Sequence, residues 1–125
     1  MNYVLIIDND HVIRSVLAEK LKQAGIATQE AADGHEGLEK AKKDHPAVII
    51  LDEHMPHMNG QQFVEALQQE EWFEDVRIVV FTALNDIDLM NHKIIAGVSD
   101  YLEKGTSTPE KVVEIAQKYL QSANK

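Results

Sequence analysis

The chain contains no cysteine among its 125 residues. That excludes disulfides, thiolate metal sites and a cysteine nucleophile, while leaving the compartment open. It also lacks any apolar run approaching the roughly 20 residues that a membrane helix needs. Its start, Met-Asn-Tyr-Val-Leu-Ile-Ile-Asp, carries no basic stretch and turns acidic at Asp8, so no targeting segment is expected. Positive charge is scarce: 12 Lys and Arg stand against 21 Asp and Glu, a formal net charge of −9. A surface of that sign is repelled by phosphate backbones and anionic lipid, which argues against direct nucleic-acid or membrane binding. No glycine-rich loop follows the first apolar run, so nucleotide binding is unsupported. These absences leave a soluble, cytoplasmic domain as the simplest reading.

Hydrophobic residues make up 44% of the chain and charged residues 26%, a balance typical of globular rather than disordered proteins. The length suits one domain over residues 1–125. Three short apolar runs, Val4–Ile7, Ala47–Leu51 and Val76–Phe81, are nearly continuous and β-rich, as expected of parallel strands covered on both faces. Weaker strands are expected near Thr28–Ala31 and Ser99–Glu103.

Helical periodicity fills the intervals. The first helix carries Val12, Ile13, Val16, Leu17 and Leu21 and ends at Gly25. The second opens at Asp33 with Glu36 three residues on, resembling a capping box, and stops before Pro46. The third starts near Gly60 with Phe63, Val64 and Leu67. A fourth is expected from about Asp86 to Ala96. The last follows Ser107-Thr108-Pro109-Glu110 and carries Val112, Val113, Ala116 and Leu120. Strict βα alternation predicts a doubly wound α/β fold, a (βα)5 flavodoxin-like three-layer sandwich. The strand order 2-1-3-4-5 is expected, although periodicity alone does not separate it from other doubly wound orders.

Ligands of such sheets bind beyond the carboxyl ends of the strands. The residues there are Asp8-Asn9-Asp10 after the first strand, Asp52-Glu53 after the third, Thr82 after the fourth and Lys104 after the fifth. Two carboxylates on neighbouring strands would repel by ~4 kcal/mol at 4 Å and an effective dielectric near 20. A hard divalent cation such as Mg²⁺ relieves that repulsion and takes oxygen ligands. Beside a carboxylate nucleophile, a lysine and a hydroxyl, it forms an arrangement suited to phosphoryl transfer.

These residues resemble the receiver domains of two-component response regulators. The likeness covers essentially the whole chain, through Asp8-Asn9, Arg14, Asp52, Met55-Pro56 with Gly60, Thr82-Ala83, Ala96-Gly97, Tyr101 and Lys104. It implies that Asp52 is the phosphoacceptor and that Lys104 and Thr82 contact the phosphoryl group. It further implies Mg²⁺ held by Asn9, Asp52 and the His54 backbone carbonyl, with Asp8 assisting mostly through water. Tyr101 would swing inward as Thr82 moves, altering the surface of the fourth helix, fifth strand and fifth helix. The implied donor is a sensor histidine kinase or histidine phosphotransfer domain. With no output domain expected, the signal would pass to a further protein, and the domain would be modified rather than turn over an external substrate.

Two positions depart from the family pattern. Asn9 replaces the second acid of the first-strand pair, removing a formal charge from the metal site. Gly105 replaces a proline that commonly follows the lysine in a cis bond, so a trans Lys104–Gly105 bond or a mobile loop, with a less fixed lysine amine, is expected. Asp10 reads as a helix N-cap before it reads as a metal ligand. His54-Met-Pro-His57 lacks the helical spacing of dihistidine zinc sites, and His54 fits a tuner of acyl-phosphate lifetime or an exposed loop residue. Two other functions fit parts of this pattern. A degenerate receiver would bind partners without phosphorylation. A haloacid-dehalogenase-type phosphohydrolase would use the Asp8-Asn9-Asp10-His11-Val12 pattern, but lacks the usual acidic pair beyond the lysine.

Overall fold

Successive residues of a strand point to opposite faces, and the central runs of this chain are apolar at every position because both faces are covered. Leu5, Ile7, Ile49, Leu51, Ile78 and Val80 pack with Phe63, Val64 and Leu67 in one core layer. Val4, Ile6, Val48, Ile50, Val79 and Phe81 pack with Leu17, Leu21, Val112 and Ala116 in the other. The computed structural model describes residues 3–83 and 97–123.

The strands are β1 (Val4–Ile7), β2 (Thr28–Ala31), β3 (Val48–Leu51), β4 (Arg77–Thr82) and β5 (Val98–Glu103). They form one parallel sheet in the order β2-β1-β3-β4-β5. The described helices are α1 (His11–Gln23), α2 (Gly34–Lys43), α3 (Gly60–Leu67) and the C-terminal α4 (Pro109–Ala123), with a short 3-10 turn at Phe73–Asp75. The helix expected over 86–96 lies outside the described residues. Strand order is as expected from the sequence, as is the alternation among the described residues, with strand ends differing by one residue in β3, β4 and β5.

Local chemistry sets the helix ends. Asp10 caps α1 by accepting from the amides of Val12 (3.0 Å) and Ile13 (3.2 Å). Beyond its other end Gly25 takes φ +80°, a left-handed conformation that side chains resist. Asp33 accepts from the Glu36 amide at 2.8 Å. The reciprocal capping box occurs instead at α3, between Asn59 and Gln62. Thr108 caps α4 through the Lys111 amide (3.1 Å). The inward stripe of α1 is narrower than its periodicity indicates. Val12 is 69% exposed and Val16 38%, because they border a cleft of about 170 Å³ shared with Phe81, Lys104, Ser107 and Pro109.

Candidate functional site

Parallel register brings the strand ends to one edge. Ile7 lies beside Leu51, and Leu51 beside Val80. The next residues, Asp8 and Asp52, therefore emerge side by side, with the Asp52 amide donating to the Ile7 carbonyl at 3.0 Å. The Lys104 amide donates to the Thr82 carbonyl at 2.8 Å, tying the end of β5 to that of β4. Asp8, Asp52 and Thr82 are the buried polar or charged residues of the described chain. Burial of a polar group is costly unless it is satisfied, so their convergence at one strand edge marks a site.

The four side chains contact one another directly. The Thr82 hydroxyl donates to Asp52 Oδ1 at 2.9 Å, and the His54 amide reaches the same oxygen at 3.3 Å. Lys104 Nζ lies 3.4 Å from Asp52 Oδ2 and 2.9 Å from Asp8 Oδ2. Asp8 Oδ1 accepts from the Asp10 amide at 2.8 Å. One ammonium thus serves two carboxylates, and a net negative charge remains.

Burial and the neighbouring Asp8 carboxylate push the Asp52 pKa up, against the opposing pull of Lys104, Thr82 and the His54 amide. A raised pKa makes the ionised carboxylate a stronger base and a better nucleophile. Burial alone would lower the Lys104 pKa, but the Asp8 and Asp52 carboxylates outweigh it and hold the lysine above its ordinary value.

The loop after β3 is shaped by close approach. A methyl group on Gly60 would lie 3.0 Å from Glu53 Cα and 3.1 Å from the Asp52 carbonyl oxygen. The Gly60 amide donates to the Glu53 carbonyl at 2.9 Å. Glycine at the start of α3 therefore lets the helix sit against the backbone that carries Asp52.

Asp8, Asp52, Thr82 and Lys104 are thus brought together as the sequence indicates. Asn9 is exposed at the apex of the turn after β1, and Asp10 is the α1 cap. Tyr101 on β5 is 36% exposed and is not part of the cluster. No cis peptide bond occurs among the described residues, as expected at Lys104–Gly105. The lysine amine is nonetheless held by two carboxylates rather than loose. His54 is exposed, and His57 adopts φ 68° in a turn closed by the Met58 amide on the Pro56 carbonyl. Among the described residues no three His, Cys, Asp or Glu side chains converge to hold a metal. Any cation at this edge must therefore complete its shell with amide, backbone and water oxygens. That donor set is all oxygen and suits Mg²⁺. One contact had no signal in the sequence: Arg14 of α1 reaches Glu30 of β2 and the Asp8 carbonyl.

A parallel 2-1-3-4-5 sheet with two acids, a hydroxyl and a lysine at its carboxyl edge defines a doubly wound α/β domain with a charged strand-end site. The match to the response regulator receiver domain family spans residues 4–117, and the chain belongs to that family. It is 31% identical to the Vibrio cholerae chemotaxis response regulator CheY4, covering 95% of this chain and 98% of that one with a TM-score of 0.84. It is 35% identical over 86% of its length to the probable transcriptional regulator ycf27 of Porphyridium aerugineum, covering 43% of that protein. Sporulation initiation phosphotransferase F of Bacillus subtilis is 26% identical over 94% of this chain and 92% of its own length. The chain spans less than half the length of several of the curated relatives it matches. Among the described residues no helix is long and apolar enough to cross a membrane.

Proposed function

We propose that this receiver domain accepts a phosphoryl group on Asp52 and signals through the change that follows at its surface. The observation that carries the reading is the convergence of Thr82 and Lys104 on the two oxygens of Asp52, one at 2.9 Å and the other at 3.4 Å. An Asp52 oxygen attacks the phosphorus of a phosphohistidine. The new acyl P–O bond forms as the P–N bond breaks, and the imidazole leaves with the electron pair and is then protonated. The hydroxyl and ammonium that now hold the carboxylate would donate to the incoming phosphoryl oxygens. Asp8, Asn9, Asp52 and the His54 carbonyl would hold Mg²⁺, which when bound neutralises charge on the transferring group.

The donor is a sensor histidine kinase or a histidine phosphotransfer domain. The name of the Bacillus subtilis relative, a phosphotransferase of nearly the same length, supports a place in such a relay. The exposed Val12 and Val16 beside Lys104 give a protein donor apolar contact at the rim of the site. The domain modifies itself and releases no product of an external substrate. Its output passes through Tyr101 and the surface around β5 to a further cytoplasmic protein rather than to nucleic acid, in keeping with the charge of −9.

Borohydride reduction after exposure to a small acyl phosphate and Mg²⁺ tests this reading, because it converts an aspartyl phosphate to homoserine. Peptide mapping is expected to place homoserine at position 52. Homoserine at position 8 would favour the phosphohydrolase reading. None at either position would favour a receiver that acts without phosphorylation.

A further inference from the structure

We infer that Arg14 is a positioning residue that holds the acidic turn Asp8-Asn9-Asp10 in its cation-binding form. This rests on the receiver chemistry proposed above and assigns part of it to a residue outside the pocket. Arg14 Nη1 donates to the Asp8 carbonyl oxygen at 2.6 Å, a short charge-assisted bond. Its Nε donates to Glu30 Oε1 at 3.2 Å, and its third nitrogen lies 3.2 Å from His11 Nδ1. The Arg14 backbone amide donates to the Asp10 carbonyl at 3.0 Å. One residue therefore grips the turn at both ends, through its side chain at Asp8 and its backbone at Asp10.

Between those anchors the Asp10 amide closes back on Asp8 Oδ1 at 2.8 Å, and Asn9 stands exposed at the apex. The Arg14 side chain is only 14% exposed, so the grip is shielded from competing water. Glu30, one residue before the end of β2, offsets the guanidinium charge, so the arginine orders the turn without presenting a bare cation to a metal. The demand on this anchor is high here, because Asn9 contributes an amide where a second carboxylate would bind without help. A lysine in place of Arg14 cannot span the Asp8 carbonyl and Glu30 together, since only the planar fork supplies donors in both directions.

Groups that orient metal ligands from behind typically change metal affinity by about 10–100-fold when removed. The test is calorimetric titration of the full chain with Mg²⁺ for wild type, Arg14→Ala and Arg14→Lys. Thermal unfolding is followed without metal, and phosphorylation by a small acyl phosphate is followed across Mg²⁺ concentrations. Arg14→Ala is expected to raise the Mg²⁺ dissociation constant about tenfold, with Arg14→Lys between it and wild type. The phosphorylation rate at saturating Mg²⁺ should return close to wild type, because Asp52, Thr82 and Lys104 are untouched. Unchanged or tighter Mg²⁺ binding in a folded Arg14→Ala protein would overturn the role while leaving Asp52 chemistry intact. A rate that stays low at saturating Mg²⁺ would also overturn it. Failure of the wild type itself to bind Mg²⁺ or accept a phosphoryl group would overturn both. Should Arg14→Ala not fold, Arg14→Lys carries the same comparison.

Discussion

Replacing Lys104 with methionine removes a cation that two buried carboxylates share. At 2.9 Å from Asp8 and 3.4 Å from Asp52, each attraction is about 5 kcal/mol at an effective dielectric near 20. Most of this is offset by the desolvation of all three groups. Breaking a buried pair by removing one partner costs about 3–5 kcal/mol, because the remaining charge is left uncompensated. Lys104 keeps 18% side-chain exposure, which places the expected loss near the lower end, about 3 kcal/mol. For a domain of this size that is a fall in Tm of roughly 10 °C.

The defect has a signature beyond its size. Mg²⁺ bound as proposed would bring the missing positive charge to the orphaned carboxylates, so it should stabilise Lys104→Met more than wild type, where the ammonium already lies between them. Stabilisation reaches about 2.7 kcal/mol at a hundredfold excess over Kd. Urea unfolding at pH 7 with and without Mg²⁺ measures both effects. Equal midpoints for wild type and Lys104→Met, or an equal Mg²⁺ response in the two, would refute the shared-cation reasoning.

Three further outcomes are expected. Asp52→Asn should be more stable than wild type at neutral pH. Burial and Asp8 raise the Asp52 pKa, so the folded state holds this proton more tightly than the unfolded chain. Wild-type stability then rises as pH falls from the raised value towards the ordinary carboxylate range, and the advantage of Asn shrinks. Denaturant midpoints across the acid range check the sign. Val12→Asp should slow phosphorylation by a phosphohistidine protein at least severalfold while leaving small acyl phosphates unaffected, since it charges an exposed apolar rim without touching Asp52. Gly60→Ala should destabilise the fold by about 1–3 kcal/mol, because the added methyl meets Glu53 and the Asp52 carbonyl. Its phosphorylation should also be slower, which a time course of the adduct would show.

The central strands were legible in the sequence because burial on both faces leaves unbroken apolar runs. β2 and β5 carried weaker signals because these edge strands lack that burial: β2 has one buried residue, Ala31, and β5 has none. The clustering of Asp8, Asp52, Thr82 and Lys104 could be read from their places at the ends of runs, since parallel register turns linear position into spatial proximity. Contacts set by three-dimensional approach were not legible. Nothing in the sequence announces the pairing of Arg14 with Glu30, 16 positions further on. The outward turn of Val12 follows from the cleft beside Lys104, not from helical period. The same limit applies to capping: Asp33 and Glu36 fit the pattern but form half of it, while Asn59 and Gln62 form the full box.

Intact mass after incubation with a small acyl phosphate and Mg²⁺, with Asp52→Ala alongside, tests the phosphoacceptor proposal most directly. Trp72 stacks on His45 at the opposite edge of the sheet, with ring centroids 4.0 Å apart, so its fluorescence is a poor reporter of the pocket. A single added phosphoryl group on wild type, absent without Mg²⁺ and absent from Asp52→Ala, is the predicted result. An unmodified wild type, or an adduct of equal yield on Asp52→Ala, would contradict it.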